Sequence, residues 1–137
     1  MRLFAAIYPP PDIAEDLSAL GGGMPGARWV DEDDLHITLR FFDEVDDGRV
    51  EDLDDALSAV AQRPFPLTIA GVRTFGDRLL YAAVEPSEDL VGLRTKVEAA
   101  GARAGVPREG GRFVPHITLA RLKGVAPDQI GFFIQDR

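Results

Sequence analysis

The two histidines of the chain occur in the same tetrapeptide, His-Ile-Thr-Leu, at positions 36–39 and 116–119. Side chains alternate between the two faces of a β-strand, so each copy would place His and Thr on one face and Ile and Leu on the other. A single copy would be weak evidence, because a lone histidine beside strand-forming residues is usually structural. The repetition predicts two matched polar pairs, His36 with Thr38 and His116 with Thr118.

Two such pairs facing one cleft could perform general acid–base catalysis. A neutral imidazole can take a proton from water while an imidazolium gives one to a leaving oxygen, and both forms coexist near neutral pH. The threonine hydroxyls could each donate a hydrogen bond to a phosphoryl oxygen as charge develops on it. This chemistry requires no cofactor and no metal ion. The alternative interpretation is two structural histidines in a duplicated sheet, with threonines present for their strand propensity.

The repeat extends upstream of both tetrapeptides. Residues 3–9 (LFAAIYP) match residues 80–86 (LYAAVEP) position by position. Two copies with so long a period argue against a stacked solenoid. They favour two pseudo-symmetric lobes around a central groove, each lobe contributing one His and one Thr. We therefore expect a single bilobal domain over residues 1–137, with duplicated halves near 1–45 and 78–123.

Hydrophobic patterning predicts an α+β fold, with antiparallel sheets and short helices packed on their outer faces. Asp12 is a candidate N-cap for the first helix, and Ser87 for the third. The second helix has an apolar stripe opposite a run of carboxylates. The predicted strands are 2–8, 27–30, 35–42, 65–74, 78–84 and 113–122, and the predicted helices are 12–20, 47–61 and 88–104.

The composition argues against several classes of protein. The chain has no cysteine, which excludes disulfides, thiolate metal sites and a thiol nucleophile and is compatible with a cytoplasmic location. The apolar N-terminus reaches Pro9 after too few residues for a membrane span or a signal-peptide core, so we expect no membrane partner. A formal net charge of −8 argues against an extended nucleic-acid surface.

Charge is distributed unevenly along the chain. Acidic residues cluster within 31–34 and 43–55, where we expect solvated surface and not metal ligands. Around the second tetrapeptide the balance reverses, which suits a small anionic ligand or one end of a polynucleotide. The basic residues there are Arg103, Arg108, Arg112, Arg121 and Lys123, opposed by Glu109. If the ligand is the reactive end of a polynucleotide, a mononucleotide with that end and a long strand with the same end should react about equally well.

With their flanks, the two tetrapeptides resemble those of the two-histidine phosphoesterases. The stretches 35–45 (LHITLRFFDEV) and 113–121 (FVPHITLAR) are similar to the bacterial RNA 2′,3′-cyclic phosphodiesterase branch, also called 2′-5′ RNA ligase. The opening strand into prolines and the Arg-Trp-Val at 28–30 fit that branch too. The resemblance implies metal-independent opening of a 2′,3′-cyclic phosphate to a 2′-phosphate, with His36 as the acid and His116 as the base. It leaves open a reversible 2′-5′ RNA ligase activity.

The resemblance also implies binding residues and partners. Arg121 would contact the ligand, although strict strand alternation puts it on the face opposite His116 unless a bulge intervenes. Phe42 could stack on a base, or it could instead belong to the core or to the groove wall. Arg40 is expected to be a solvated charge at a strand end, and Trp29 to pack within a lobe. The implied partners are RNA termini or small cyclic nucleotides.

Two features depart from the pattern of that family. Asp43 stands where the family usually has a small residue, which would add a carboxylate near the groove. The family also continues past the second motif through a helix and further strands, whereas this chain ends at Arg137, so we expect a shortened C-terminus. Open strand edges would then be covered in a dimer or exposed in a monomer.

Two other functions are compatible with the same residues. One is a binding module that keeps the groove and holds a nucleotide or an RNA end without chemistry. The other is a metallohydrolase that uses His36, His116 and nearby aspartates. The sequence disfavours the metallohydrolase, because it lacks a local cluster with the spacing of metal ligands.

Overall fold

A computed structural model describes residues 2–135 of the chain. The strands are β1 (Leu3–Ile7), β2 (Arg28–Trp29), β3 (Ile37–Phe42), β4 (Ile69–Phe75), β5 (Leu79–Val84) and β6 (His116–Arg121). The α-helices are α1 (Pro11–Ser18), α2 (Asp47–Ser58), α3 (Glu88–Arg103) and α4 (Pro127–Gln135), and a short 3-10 helix covers Glu32–Asp34. The α+β class is confirmed, and every predicted strand and helix is present with ends shifted by a few residues. Helix α4 is additional to the three predicted from patterning, and it begins within residues 125–130, which resemble the start of the helix that follows the second motif in the family.

The chain forms two compact units, and each is assembled from three separate stretches. Unit 1 comprises Met1–Ala6, Thr38–Leu67 and Pro86–Pro115, and unit 2 comprises Ile7–Ile37, Thr68–Glu85 and His116–Arg137. Each unit therefore contains segments from both copies of the repeat. The two histidines and two threonines of the tetrapeptides are not divided as one His and one Thr per unit, as expected for two lobes. The reason is that the boundary between the units falls inside β3, between Ile37 and Thr38. Unit 2 has both histidines and Thr118, whereas Thr38 belongs to unit 1.

Unit 1 combines β1 and β3, which are hydrogen-bonded neighbours, with α2 and α3. The two helices pack against each other, and Leu53 of α2 and Leu90 of α3 are fully buried. The Ser87 hydroxyl accepts a hydrogen bond of 3.1 Å from the backbone N–H of Leu90, so the predicted N-cap of α3 is confirmed. The opposite face of α2 exposes its carboxylates, as its sequence pattern predicts.

Arg40 is a buried charge in unit 1, so its prediction as a solvated strand-end residue was wrong. Its side chain is 8% exposed and forms an ion pair with Glu98 of α3, which is 7% exposed. The guanidinium also donates to the Pro107 carbonyl at 3.1 Å and pairs with the Glu109 carboxylate at 3.0 Å. A buried arginine is tolerable because these acceptors, all distant in sequence, satisfy its donors.

Unit 2 contains an antiparallel arrangement of β4, β5 and β6 in which each strand pairs with the next. The other edge of β6 pairs with β2 and, at Ile117, with Ile37 at the start of β3. Helix α1 begins with Pro11 at its first position, where a missing N–H costs nothing, and not with a cap by Asp12 as predicted. Trp29 packs on Phe133 of α4 with ring centroids 5.6 Å apart, which confirms its packing role.

Candidate active site

The second tetrapeptide lies on β6 with the alternation that its sequence predicts. Ile117 and Leu119 are 2% and 3% exposed and contribute to the core of unit 2. His116 and Thr118, the intervening residues, are half-buried on the other face. The strand therefore presents a polar face and an apolar face because its side-chain period is two. The same alternation holds for the first copy, in which Ile37 and Leu39 are buried.

A break in strand pairing reverses the alternation after Thr118. Leu80 of β5 pairs with Ala120, whereas the next residue, Tyr81, pairs with Thr118, so β6 contains one extra residue at that point. This is the signature of a β-bulge. Leu119 and Ala120 are both buried, and Arg121 is exposed. The bulge therefore returns Arg121 to the face that carries His116 and Thr118, which is the condition that its predicted role requires.

The two histidines lie on one face of a strand pair. Ile37 is directly opposite Ile117 in antiparallel register, so His36 is opposite Thr118 in the next position of the pair. His36 and His116 are then diagonal neighbours, with backbones roughly 7–8 Å apart in such pairs. Two imidazoles at this separation can contact opposite sides of a single phosphoryl group.

The ring of His36 is oriented by a backbone carbonyl. Its Nδ1 lies 2.6 Å from the carbonyl oxygen of Asp34, in the 3-10 helix. A carbonyl can only accept, so Nδ1 donates in this hydrogen bond and the orientation of the ring is fixed by the backbone. Tyr8 lies beside the ring with centroids 5.6 Å apart, and Tyr8 itself is 57% exposed.

The ring of His116 has two aromatic neighbours in unit 2. Phe75 approaches it edge-on at 5.0 Å between centroids, and Tyr81 does so at 5.4 Å. Phe75 and Tyr81 stack on each other at 4.2 Å. These contacts restrict the orientation of the imidazole through packing. These residues and Tyr8 lie outside the two tetrapeptides, and the sequence signal that could have pointed to Tyr8 and Tyr81 is their place in the duplicated opening strands.

The predicted substrate contact through Phe42 is wrong. Phe42 is 0% exposed, and its ring lies under the guanidinium of Arg40 at 4.8 Å. A Cβ built on Gly101 of α3 would lie 3.0 Å from Phe42 Cε1, so the helix packs closely on this ring. Leu39 and Arg40 are both buried, so the exposed aromatic residue of β3 is Phe41, at 45%. The order of buried and exposed residues over 36–42 is the same as over 116–122.

The remaining sequence-predicted residues are distributed between the units. In unit 1, Thr38 is half-buried, and Asp43 forms an ion pair with Arg2 at 3.2 Å. The acidic residues at 31–34 and 43–55 are exposed, as predicted for solvated surface.

Within residues 2–135, no three His, Asp or Glu side chains come together as a set able to hold a metal ion. No helix in this part of the chain is long and apolar enough to cross a membrane. The basic residues Arg103, Arg108 and Arg112 of unit 1 and Arg121 and Lys123 of unit 2 are all exposed.

A family profile matches nearly the whole chain. The profile of the 2′-5′ RNA ligase superfamily aligns with residues 9–130, a range that contains both tetrapeptides. This chain belongs to the 2′-5′ RNA ligase superfamily. Its resemblance to the two-histidine phosphoesterases is thereby confirmed.

Curated relatives in this superfamily have a common name. A protein of Geobacillus stearothermophilus named RNA 2′,3′-cyclic phosphodiesterase is 39% identical over 113 residues, which are 77% of this chain and 36% of that protein. One of Archaeoglobus fulgidus with the same name is 29% identical over 135 residues, 93% of this chain and 76% of the relative. The chain thus spans little more than a third of the first protein and about three quarters of the second.

Solved structures of the superfamily share the fold. TT0787 of Thermus thermophilus superposes with a TM-score of 0.78 at 27% identity, covering 93% of this chain and 77% of that one. Escherichia coli LigT in its apo form superposes with a TM-score of 0.77 at 30% identity, covering 88% and 72%. LigT has also been crystallised in complex with 3′-AMP, and that structure superposes with a TM-score of 0.74, covering 88% of this chain and 72% of that one.

Proposed function

We propose that this protein is an RNA 2′,3′-cyclic phosphodiesterase that opens a 2′,3′-cyclic phosphate end to a 2′-phosphate. The observation that carries the proposal is the register of Ile37 opposite Ile117, which puts His36 and His116 diagonally on one strand face. The name shared by the curated relatives supports the substrate class. The nucleotide complexes of LigT support a nucleotide as the ligand of this site.

The reaction requires one proton to be removed and one to be supplied. His116 takes a proton from water as the water oxygen forms a new bond to phosphorus. The bond between phosphorus and O3′ breaks, and His36 gives a proton to the departing O3′, so the product is a 2′-phosphate and a free 3′-hydroxyl. The Nδ1 contact of His36 with the Asp34 carbonyl orients the imidazole ring for this transfer.

The phosphoryl oxygens gain charge during this step and need hydrogen-bond donors. Thr118 lies on the same strand face as His116, and Arg121 follows it there after the bulge. A hydroxyl and a guanidinium in these positions stabilise the developing charge, because they are oriented before the reaction begins. Thr38 has the equivalent place in the first tetrapeptide. Replacing the water by the 5′-hydroxyl of a second strand would form a 2′-5′ linkage by the same proton transfers.

Turnover of a 2′,3′-cyclic mononucleotide in the presence of a chelator tests this proposal. We expect hydrolysis to the 2′-phosphate to persist with EDTA, and each of His36→Ala and His116→Ala to lower kcat by about a hundredfold or more. Arg63→Gln is a matched control, because Arg63 is exposed and belongs to unit 1. Activity that disappears with EDTA would favour a metal-bound hydroxide.

The alternative for the same residues is a module that binds nucleotides or RNA ends without reaction. Equilibrium binding of a 2′-phosphorylated nucleotide separates the two functions. Binding that survives in a protein with no detectable turnover would favour the module. Turnover that is nearly normal in both His→Ala variants would contradict the acid–base assignment.

A further inference from the structure

Four cations of unit 2 gather at the end of β6. Arg28 of β2 lies directly opposite Arg121 in the antiparallel register. Arg78, Arg121 and Lys123 line one cavity of about 570 Å³, which Asp77 also lines. We call Arg28, Arg78, Arg121 and Lys123 the β6-end cluster; all four are exposed.

The cations of the β6-end cluster form no ion pairs within the part of the chain that the structure describes, although Asp77 lines the same cavity. Asp77 itself forms no ion pair with residues 2–135 either. Like charges directly opposite each other on antiparallel strands are destabilising, and Arg28 and Arg121 form such a pair. The net charge of the protein is −8, so the cluster is a local exception to an acidic surface. A bound anion would remove the repulsion between these cations.

The position of the β6-end cluster relative to Thr118 indicates which anion binds there. Arg121 lies on the face of β6 that carries His116 and Thr118, three residues beyond Thr118. At roughly 3.3 Å per residue this is about 10 Å along the strand. A substrate with a 2′,3′-cyclic phosphate is the 3′ end of its strand, so any further phosphate that the protein contacts must lie on its 5′ side.

We propose that Arg28, Arg78 and Lys123 bind the phosphates of the RNA strand immediately 5′ of the reacting end. The proposal rests on the proposed function, because it assumes that the cyclic end reacts at the histidines. The natural substrate class is therefore an RNA end of a few nucleotides or more, in preference to a free cyclic mononucleotide. The rest of the chain has a net negative charge, so the gain should stop once the β6-end cluster is occupied. This differs from the sequence-based expectation that a mononucleotide and a long strand react about equally well.

The test compares 2′,3′-cyclic ends on strands of one to six nucleotides. We expect kcat/KM to rise up to three or four nucleotides and then to level. In Arg78→Gln and Lys123→Gln, the ratio of kcat/KM for the tetranucleotide to that for the mononucleotide should fall about tenfold, since a charge-assisted hydrogen bond is lost. Arg63→Gln, which removes the same charge from unit 1, should keep the wild-type ratio.

A binding measurement keeps this test separate from the proposed function. Fluorescence anisotropy with a labelled tetranucleotide that ends in a 2′-phosphate needs no turnover. The slope of the logarithm of the association constant against the logarithm of salt concentration should decrease by about 0.7 for each cation removed. If turnover is absent but this binding depends on Arg78 and Lys123, the proposed function is wrong, whereas the proposal that the β6-end cluster binds RNA phosphates is supported. The proposal that the β6-end cluster binds RNA phosphates would be overturned if Arg63→Gln lowered the affinity as much as Arg78→Gln and Lys123→Gln. It would also be overturned if the affinity did not depend on the length of the RNA.

Discussion

Arg40 and Glu98 form a buried ion pair that joins β3 to α3 in unit 1. The pair also holds the segment that follows α3: Arg40 donates to the Pro107 carbonyl, and the second carboxylate oxygen of Glu98 accepts from the backbone N–H of Glu109 at 2.9 Å. Burial acts to raise the pKa of Glu98. The hydrogen bonds from Arg40 and the Glu109 N–H, together with the charges of Arg40 and Arg94, outweigh it and lower the pKa.

We expect Glu98→Gln to destabilise the protein in a pH-dependent manner. A carboxyl whose pKa is lowered by folding stabilises the folded state above its unfolded pKa, and this contribution disappears as the pH falls through the folded value. At pH 7 the variant should lose about 3 kcal/mol of unfolding free energy, because Arg40 stays buried without its charged partner. Urea titrations at pH 7 and at several values below about 4.5 should show the difference from wild type shrinking on acidification.

Glu109→Gln is the matched control for Glu98→Gln. Glu109 pairs with the same guanidinium, but its side chain is 53% exposed. An exposed partner contributes only about 0–1 kcal/mol. Equal losses in the two variants would show that burial does not distinguish these carboxylates.

The adjacent phenylalanines of β3 should behave in opposite ways. Phe42→Ala removes a fully buried ring from unit 1 and should lower the unfolding free energy by about 3–5 kcal/mol. Phe41 is 45% exposed, so Phe41→Ala should cost less than about 1 kcal/mol. Phe41 is the residue of this strand on which a base would stack. In that case Phe41→Ala should raise KM for a cyclic nucleotide about tenfold and leave kcat unchanged. Chemical denaturation and steady-state kinetics on both variants measure these effects.

The Thr118 hydroxyl should matter for the reaction and not for folding. Thr118→Val keeps the side-chain shape but removes the donor to the phosphoryl oxygen, and kcat/KM should fall about a hundredfold. Thr118→Ser restores the hydroxyl and should recover most of the activity. The melting temperatures of the three proteins provide the control. Loss of activity in the serine variant equal to that in the valine variant would argue for a packing role of Thr118.

A reaction that needs one neutral and one charged imidazole should have a bell-shaped pH profile. Turnover falls on the acid side as the base is protonated and on the alkaline side as the acid loses its proton. With His116 as the base and His36 as the acid, His116→Ala should remove the acid limb of the residual activity, and His36→Ala the alkaline limb. The profiles are measured with EDTA present. If His116→Ala removed the alkaline limb and His36→Ala the acid limb, the roles of the two histidines would be reversed. A monotonic rise of turnover with pH would contradict the paired mechanism.

Several features of this protein follow from local sequence patterns alone. The division of each tetrapeptide into a polar face and a buried face depends only on the period of two in a strand, and both copies have it. The cap at Ser87 and the exposure of the acidic runs are likewise decided within a few residues of the chain. The family could be inferred because two specific motifs lie in a duplicated context.

Other features depend on residues far apart in sequence, and only the tertiary structure decided them. Arg40 is buried because Glu98, 58 positions away, supplies its counter-charge, and no pattern near β3 encodes that partner. Arg121 shares a face with His116 because pairing with β5 includes a bulge, whereas alternation within β6 predicts the opposite face. The aromatic residues around His116 and the cations around Arg121 also come from other strands and turns. Local periodicity determines which way a side chain points relative to its own strand, but its neighbours are determined by which strands and helices pack together.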